Sequence, residues 1–167
     1  PISVPEYRKP FIRPYLTIAG RAGETYGGKI GLLRLKPKTV DYINIGIVCY
    51  PTFGGSGVVA TELGKALAKE GHRVHFITYS QPTRLDFLNE NLFYHEVDFR
   101  SYPLFEYPPY ELALASKMVS VVKNEKLDLL HVHYAIPHAS EAYMAKQIMK
   151  SEGITIQVVT TLHGTDI

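Results

Sequence analysis

The sequence predicts an α/β fold, a Rossmann-like parallel sheet with flanking helices, and three observations carry that expectation. From Ile43 onward, short β-branched runs alternate with amphipathic stretches at helical spacing, the pattern that right-handed crossovers build into a parallel sheet. The first run, "INIGIVCY" (43–50), is apolar almost throughout, as in a strand covered on both faces. A glycine cluster, "GGSG" (54–57), then separates it from the first helix, and ligands of such sheets gather at the carboxyl ends of the strands.

The elements follow in order. After the glycines, Val59, Leu63, Ala66 and Leu67 recur at helical spacing with Glu62, Lys65 and Lys69 between them, so those four are expected to face the sheet. Gly71 supplies the left-handed residue at which such helices stop. "RVHFIT" (73–78) reads as the second strand, and residues 82–109 as irregular, with a short strand near Leu92–Val97. "YELALASKMVSVVKNEK" (110–126) predicts a helix with Leu112, Ala115, Met118, Val119 and Val122 inward. "LDLLHVHY" (127–134) is a strand, "HASEAYMAKQIMKSEG" (138–153) a helix and "TIQVVTTLH" (155–163) a strand.

Composition sets the frame. The 167 residues are 46% hydrophobic and 20% charged, which suits one ordinary globular domain. Cys49 is the only cysteine, so no internal disulfide framework exists and a reducing compartment fits. No apolar run reaches the ~20 residues that span a bilayer, and no signal-peptide pattern opens the chain; the expected location is cytoplasmic. Residues 1–41 hold eight Lys/Arg against Glu6, Glu24 and Asp41, a balance of +5 that leaves −3 on the rest of a chain of net charge +2. Residues 1–42 therefore read as a basic Pro/Gly-rich extension of unknown role, a solvated arm rather than a nucleic-acid or membrane arm. Because the chain opens on Pro1 and stops at Ile167 after a motif that should lead onward, it reads as a fragment.

"GSGVVA" (55–60) fits the G-x-G-x-x-A dinucleotide fingerprint. Against that reading, Tyr50–Phe53 intervene between strand and glycines, and "FITYS" offers no acidic residue to hold a ribose hydroxyl. It is not a Walker loop either, since no Gly-Lys-Ser/Thr follows. Gly54, Gly55 and Gly57 permit close backbone approach, Ser56 is placed to cap the helix or bind a ligand oxygen, and the helix start favours a phosphate or carboxylate. A turn that merely eases helix–sheet packing is the plainer alternative.

"HVHY" puts His131 and His133 on one face of a strand, with His138 opening the next helix and His163 closing the next strand. No carboxylate stands at ligand spacing to them, so no metal site is expected. His133 and Tyr134 should lie at the mouth, and His131 should be structural. "TTLHGTDI" (160–167) brings Thr161, His163, Thr165 and Asp166 toward the edge that holds the glycine loop, and Thr165 or Asp166 is equally suited to cap a helix, which does not exclude the first reading. The aromatics Tyr102, Phe105, Tyr107 and Tyr110 form a core or lid cluster.

Together, "YPTFGGSGVVATELGKALAKEGHRVHFIT", "YPPYELALASK", "LDLLHVHYAIPHA" and "TTLHGTDI" resemble the amino-terminal half of a retaining nucleotide-sugar glycosyltransferase of the two-Rossmann-domain (GT-B) kind, and within it the bacterial enzymes of bacillithiol biosynthesis. The resemblance covers about residues 43–167, the acceptor-side domain. It implies transfer of N-acetylglucosamine from UDP-N-acetylglucosamine to L-malate with retention, without a metal or other cofactor. It assigns Gly54, Gly55, Ser56 and Gly57 to diphosphate and acceptor, Tyr110 and Tyr134 to the malate side, Thr161 to the sugar site and His163 to the transferred hexose as the catalytic residue. The donor-binding carboxyl-terminal domain, with its Lys/Arg pair and paired glutamates, has no counterpart in the chain, so the fragment alone should be nearly inactive. An exposed cleft wall would favour a homo-oligomer. The competing readings are an NAD(P)-dependent oxidoreductase built on "GSGVVA" and a non-catalytic binding module.

Overall fold

A computed structural model describes residues 42–86, 89–99, 109–164 and 166; the basic extension and the aromatics Tyr102, Phe105 and Tyr107 lie outside the described residues. Five strands form one sheet in the order β3-β2-β1-β4-β5, all neighbours parallel. They are β1 (Asn44–Val48), β2 (Arg73–Thr78), β3 (Leu92–Glu96), β4 (Leu129–His133) and β5 (Gln157–Thr161). The helices are α1 (Ser56–Lys69), α2 (Tyr110–Glu125) and α3 (Ser140–Ser151), and an irregular turn, Ala135–Ala139, precedes α3. The Rossmann-like expectation holds. Among the described residues, no helix is long and apolar enough to cross a membrane.

Strand alternation divides the core between the two faces. On one, Ile45, Ile47, Val74 and Phe76 pack with Ala60 and Ala68 of α1. On the other, Val48, Ile77, Leu130 and Val132 pack with Leu114, Met118 and Val122 of α2 and Ala142, Ala145 and Met149 of α3. Phe76 and Ile47 are fully buried, and burial of side chains of that size stabilises by about 1.5–3 kcal/mol each.

The faces of two helices differ from the sequence expectation. The buried stripe of α1 is Gly57, Ala60, Thr61, Gly64 and Ala68, whereas Val59 is 52% exposed, Ala66 is exposed and Leu63 and Leu67 are half-buried. The reason is distance. A Cβ on Gly64 would lie 2.4 Å from the Phe76 ring and 3.0 Å from Ile47, so the helix is seated on the sheet by its smallest residues and the larger ones are left at its flanks. On α2, Ala115, Met118 and Val122 are buried as expected, but Leu112 is exposed. It borders an open groove between α2 and α3 with Met144 and Ile148.

Candidate active site

The crossover from β1 goes to β2 on one side, while β4 lies on its other side. The carboxyl ends of β1 and β4 therefore flank the crevice where doubly wound sheets take ligands. From β1, buried Cys49 leads into half-buried Tyr50 and a loop that ends at Gly55, which caps α1 with φ +59°. The Thr52 hydroxyl closes that loop by donating to the Gly54 carbonyl (3.0 Å). Val59 N–H, bonded to the Gly55 carbonyl (3.3 Å), begins the helical ladder, so the N–H groups of Ser56, Gly57 and Val58 lack helical acceptors.

The four residues of the cluster divide by role. Gly57 is compelled by packing, because a Cβ there would meet the Tyr50 carbonyl oxygen at 2.5 Å and the Thr52 nitrogen at 2.9 Å. Gly54 and Gly55 face open space on their side-chain side. Ser56 does not cap the helix: Gly55 holds that position, no side chain bonds to it, and Ser56 is itself buried in the first turn. The packing turn is thus present at Gly57, with no such packing constraint on Gly54 and Gly55 beside it.

Across the crevice, β4 ends on His133, whose imidazole is fully buried rather than at the mouth. His133 Nδ1 and His163 Nε2 share a hydrogen bond of 3.1 Å, and His133 stacks on His131 with centroids 4.8 Å apart. Tyr134 follows with φ +81°, a conformation costly for a non-glycine residue. Its N–H donates to the Thr161 carbonyl (3.0 Å) and its carbonyl accepts from Ala139 (3.1 Å). The strained backbone sets the Tyr134 ring edge-on to Tyr50 (5.3 Å) and against His163 (4.8 Å).

His138 does not open α3; it is fully buried in the turn before it. Its Nδ1 donates to the His133 carbonyl, which leaves Nε2 as acceptor for the Tyr110 hydroxyl (3.4 Å). Tyr110 packs against Tyr79 and Phe99 as well. Asp166 caps no helix: one carboxylate oxygen accepts from His163 N–H (2.8 Å) and the other from Ala135 N–H (3.2 Å). That clasp ties the end of β5 to the end of β4 and holds His163 at the edge. Thr165 lies outside the described residues.

Burial disfavours charge on the innermost groups of this edge. It lowers His133 to about 4, with the surrounding imidazoles adding to the effect. His138 is lowered mainly by burial, partly offset by its bond to the His133 carbonyl. Burial likewise raises the phenols of Tyr110 and Tyr50, so both remain donors at neutral pH. Glu141, in the first turn of α3, is raised by burial and by Glu111.

The structure gathers Tyr50, Tyr134, His138, Tyr110 and His163 into one connected set beside the Gly54–Gly57 loop. Thr161 touches this set through its backbone carbonyl, which accepts from Tyr134 N–H, while its hydroxyl shares a 2.7 Å hydrogen bond with Nε2 of His131 on the neighbouring strand. Tyr50, Glu141 and the Asp166 clasp escape sequence reasoning. Only the position of Tyr50, the second residue past a strand's carboxyl end, could have pointed to it.

Comparison with known proteins fits this layout. Residues 53–167 match Glycosyltransferase Family 4. Over 125 residues the chain is 60% identical to N-acetyl-alpha-D-glucosaminyl L-malate synthase of Bacillus anthracis, covering 75% of this chain and 32% of that protein. The chain thus spans about a third of that relative's length. Sucrose-phosphate synthase from Thermosynechococcus elongatus superposes with a TM-score of 0.50 at 16% identity, over 73% of this chain and 33% of that one. A glycosyltransferase from Rickettsia africae ESF-5 does so with a TM-score of 0.50 at 20% identity, over 72% and 30%. At such identities the two structures speak for the fold alone.

Proposed function

Since the chain belongs to glycosyltransferase family 4, we propose that it is the acceptor-side domain of a retaining transferase that moves N-acetylglucosamine from UDP-N-acetylglucosamine to the hydroxyl of L-malate, the first step toward bacillithiol. One observation supports this reading: the start of α1, whose first N–H groups lack helical acceptors, and the hydrogen-bonded pair of His163 and His133 with Tyr134 beside it both stand at the carboxyl ends of the strands that flank the β1–β4 crevice. The name of the 60%-identical relative supports the choice of sugar and acceptor.

Malate is a small dianion, and the donor carries a diphosphate. Both suit N–H groups at a helix start, where backbone donors and the dipole act together. In front-face displacement the leaving phosphate oxygen takes the acceptor proton as the new glycosidic bond forms, and fixed donors stabilise the separating charge. No side-chain nucleophile is required. His163, fixed by His133 and Asp166, is the group placed to hydrogen-bond the hexose, with Tyr134 and Tyr110 on the malate side. The transfer step uses no metal in this reading, and the setting is cytoplasmic.

The nicotinamide alternative is not favoured, because β2 ends in Thr78 and runs into Tyr79 and Ser80 without an acidic residue. The test is a product assay. The complete polypeptide carrying this domain, given UDP-N-acetylglucosamine and L-malate, is expected to yield α-linked glucosaminyl malate by NMR. The 167-residue chain alone is expected to give negligible turnover. UDP release without a malate adduct would overturn the acceptor assignment, and absence of UDP release would overturn the transferase reading.

A further inference from the structure

A second cluster of ligand-type side chains lies away from the crevice. His75 on β2, His95 on β3 and Glu125 at the end of α2 each bring one donor atom to within 4.8 Å of the other two. Among the described residues, the set of His131, His133 and His163 does not meet that condition. The β2–β3 register sets His75 beside Phe93 and Ile77 beside His95. The His75 ring stacks on Phe93 (4.5 Å) and lies nearly parallel to the His95 ring (centroids 5.2 Å apart). His75 is fully buried, and its Nε2 has no hydrogen-bond partner. Its Nδ1 and His95 Nε2 stand 2.9 Å apart.

We propose that His75, His95 and Glu125 form a structural binding site for a divalent transition-metal ion of the zinc type, which clips the β2–β3 edge to the end of α2. The chemistry of the donor set fits. Two imidazole nitrogens and one carboxylate oxygen are zinc ligands, and tetrahedral zinc with N at ~2.05 Å separates two nitrogens by roughly 3.3 Å, close to the spacing present. Imidazoles must be neutral to bind a metal, and burial lowers both His75 and His95. The proton between His75 Nδ1 and His95 Nε2 must leave that position for an ion to bind both nitrogens; if His75 carries it, the ring takes the other tautomer, with the proton on Nε2, and both imidazoles stay neutral. A proton on His75 Nε2 would then mark the orphan atom as a donor.

Arg73 opposes the ion. Its guanidinium lies 3.8 Å from Glu125 Oε2 and over the Phe93 ring, and it disfavours positive charge at His75. The site is remote from transfer chemistry. Tyr110 and Glu125 are the two ends of α2, so about 20 Å of helix separates the crevice from the clip. The inference does not depend on the proposed reaction.

The experiment is a titration of the chelator-treated 167-residue chain with zinc sulfate, read by competition with a chromophoric chelator and by thermal unfolding. Expected are one tight equivalent, a raised Tm and visible absorption of four-coordinate type when cobalt(II) replaces zinc. His95→Gln and the surface change Glu125→Gln should each weaken binding at least about tenfold and abolish the Tm rise. Arg73→Ala should tighten binding, while His163→Ala should leave it unchanged. Absence of a stoichiometric equivalent in the unmodified chain, or wild-type affinity in either His95→Gln or Glu125→Gln, would overturn the proposal.

Discussion

On β4, His131 and His133 stack at 4.8 Å and hand a hydrogen bond on to His163 at the sheet's edge. On β2 and β3, His75 and His95 share one at 2.9 Å. The two groups lie on opposite faces of one sheet, since His133 alternates with Val132 of the α2–α3 core while His75 alternates with Val74 and Phe76 of the α1 core. Burial lowers His131 and His133 in the first group and His75 and His95 in the second. What differs is the third partner: the first ends in a histidine braced by Asp166 beside a crevice, the second in a carboxylate at a helix end. In the roles proposed above, paired imidazoles would serve reaction or architecture according to what terminates the row.

Four measurements would break or sharpen that contrast. The largest effect is expected from His163→Ala in the complete polypeptide, a loss of about 10²-fold in kcat/KM with little change in Tm, whereas His95→Gln should leave turnover intact. Equal losses from both would erase the distinction. Next, His133→Ala opens a cavity and removes the brace on His163, which should cost about 2–3 kcal/mol in a denaturant titration. It should also lower turnover through mispositioning; full activity in that variant would detach His133 from the site.

The third concerns acidity. His75 is lowered to about 3 and His133 to about 4, mainly by burial. The unfolded chain takes up these protons near pH 6.5 and the folded chain resists, so stability is whole above about 6.5 and declines as pH falls toward 4. Each histidine contributes up to about 1.4 kcal/mol per pH unit in that window. His75→Phe should flatten the slope of stability against pH; an unchanged slope would show that other groups set it. The smallest effect belongs to Thr161→Val, about 1 kcal/mol or less, since it removes one bond to half-buried His131. A large activity loss there would support the placement of Thr161 at the sugar site.

The strands were readable because β-branched runs such as "INIGIV" can hardly be placed otherwise, and the crevice because strand ends bracket its residues. The inward face of α1 was not. Glycine and alanine carry almost no apolar signal, so Val59 and Leu63 drew the eye while Gly57, Ala60, Gly64 and Ala68 formed the contact. The His75–His95 pair was equally hidden, being set by a register between strands rather than by spacing along the chain. Tyr134 carries no sign of its positive φ, and the partners of Asp166, His163 and Ala135, are fixed only once β4 and β5 pair.

The seat of Gly64 on Phe76 has a reach beyond stability. Seven residues, about 10 Å of helix, separate it from Gly57, and a rigid rod lifted at one point is displaced at its tip. A methyl group added at Gly64 would move the amides of the opening turn without touching any reactant. Weakened substrate capture with intact chemistry would then arise from a residue that no ligand ever meets.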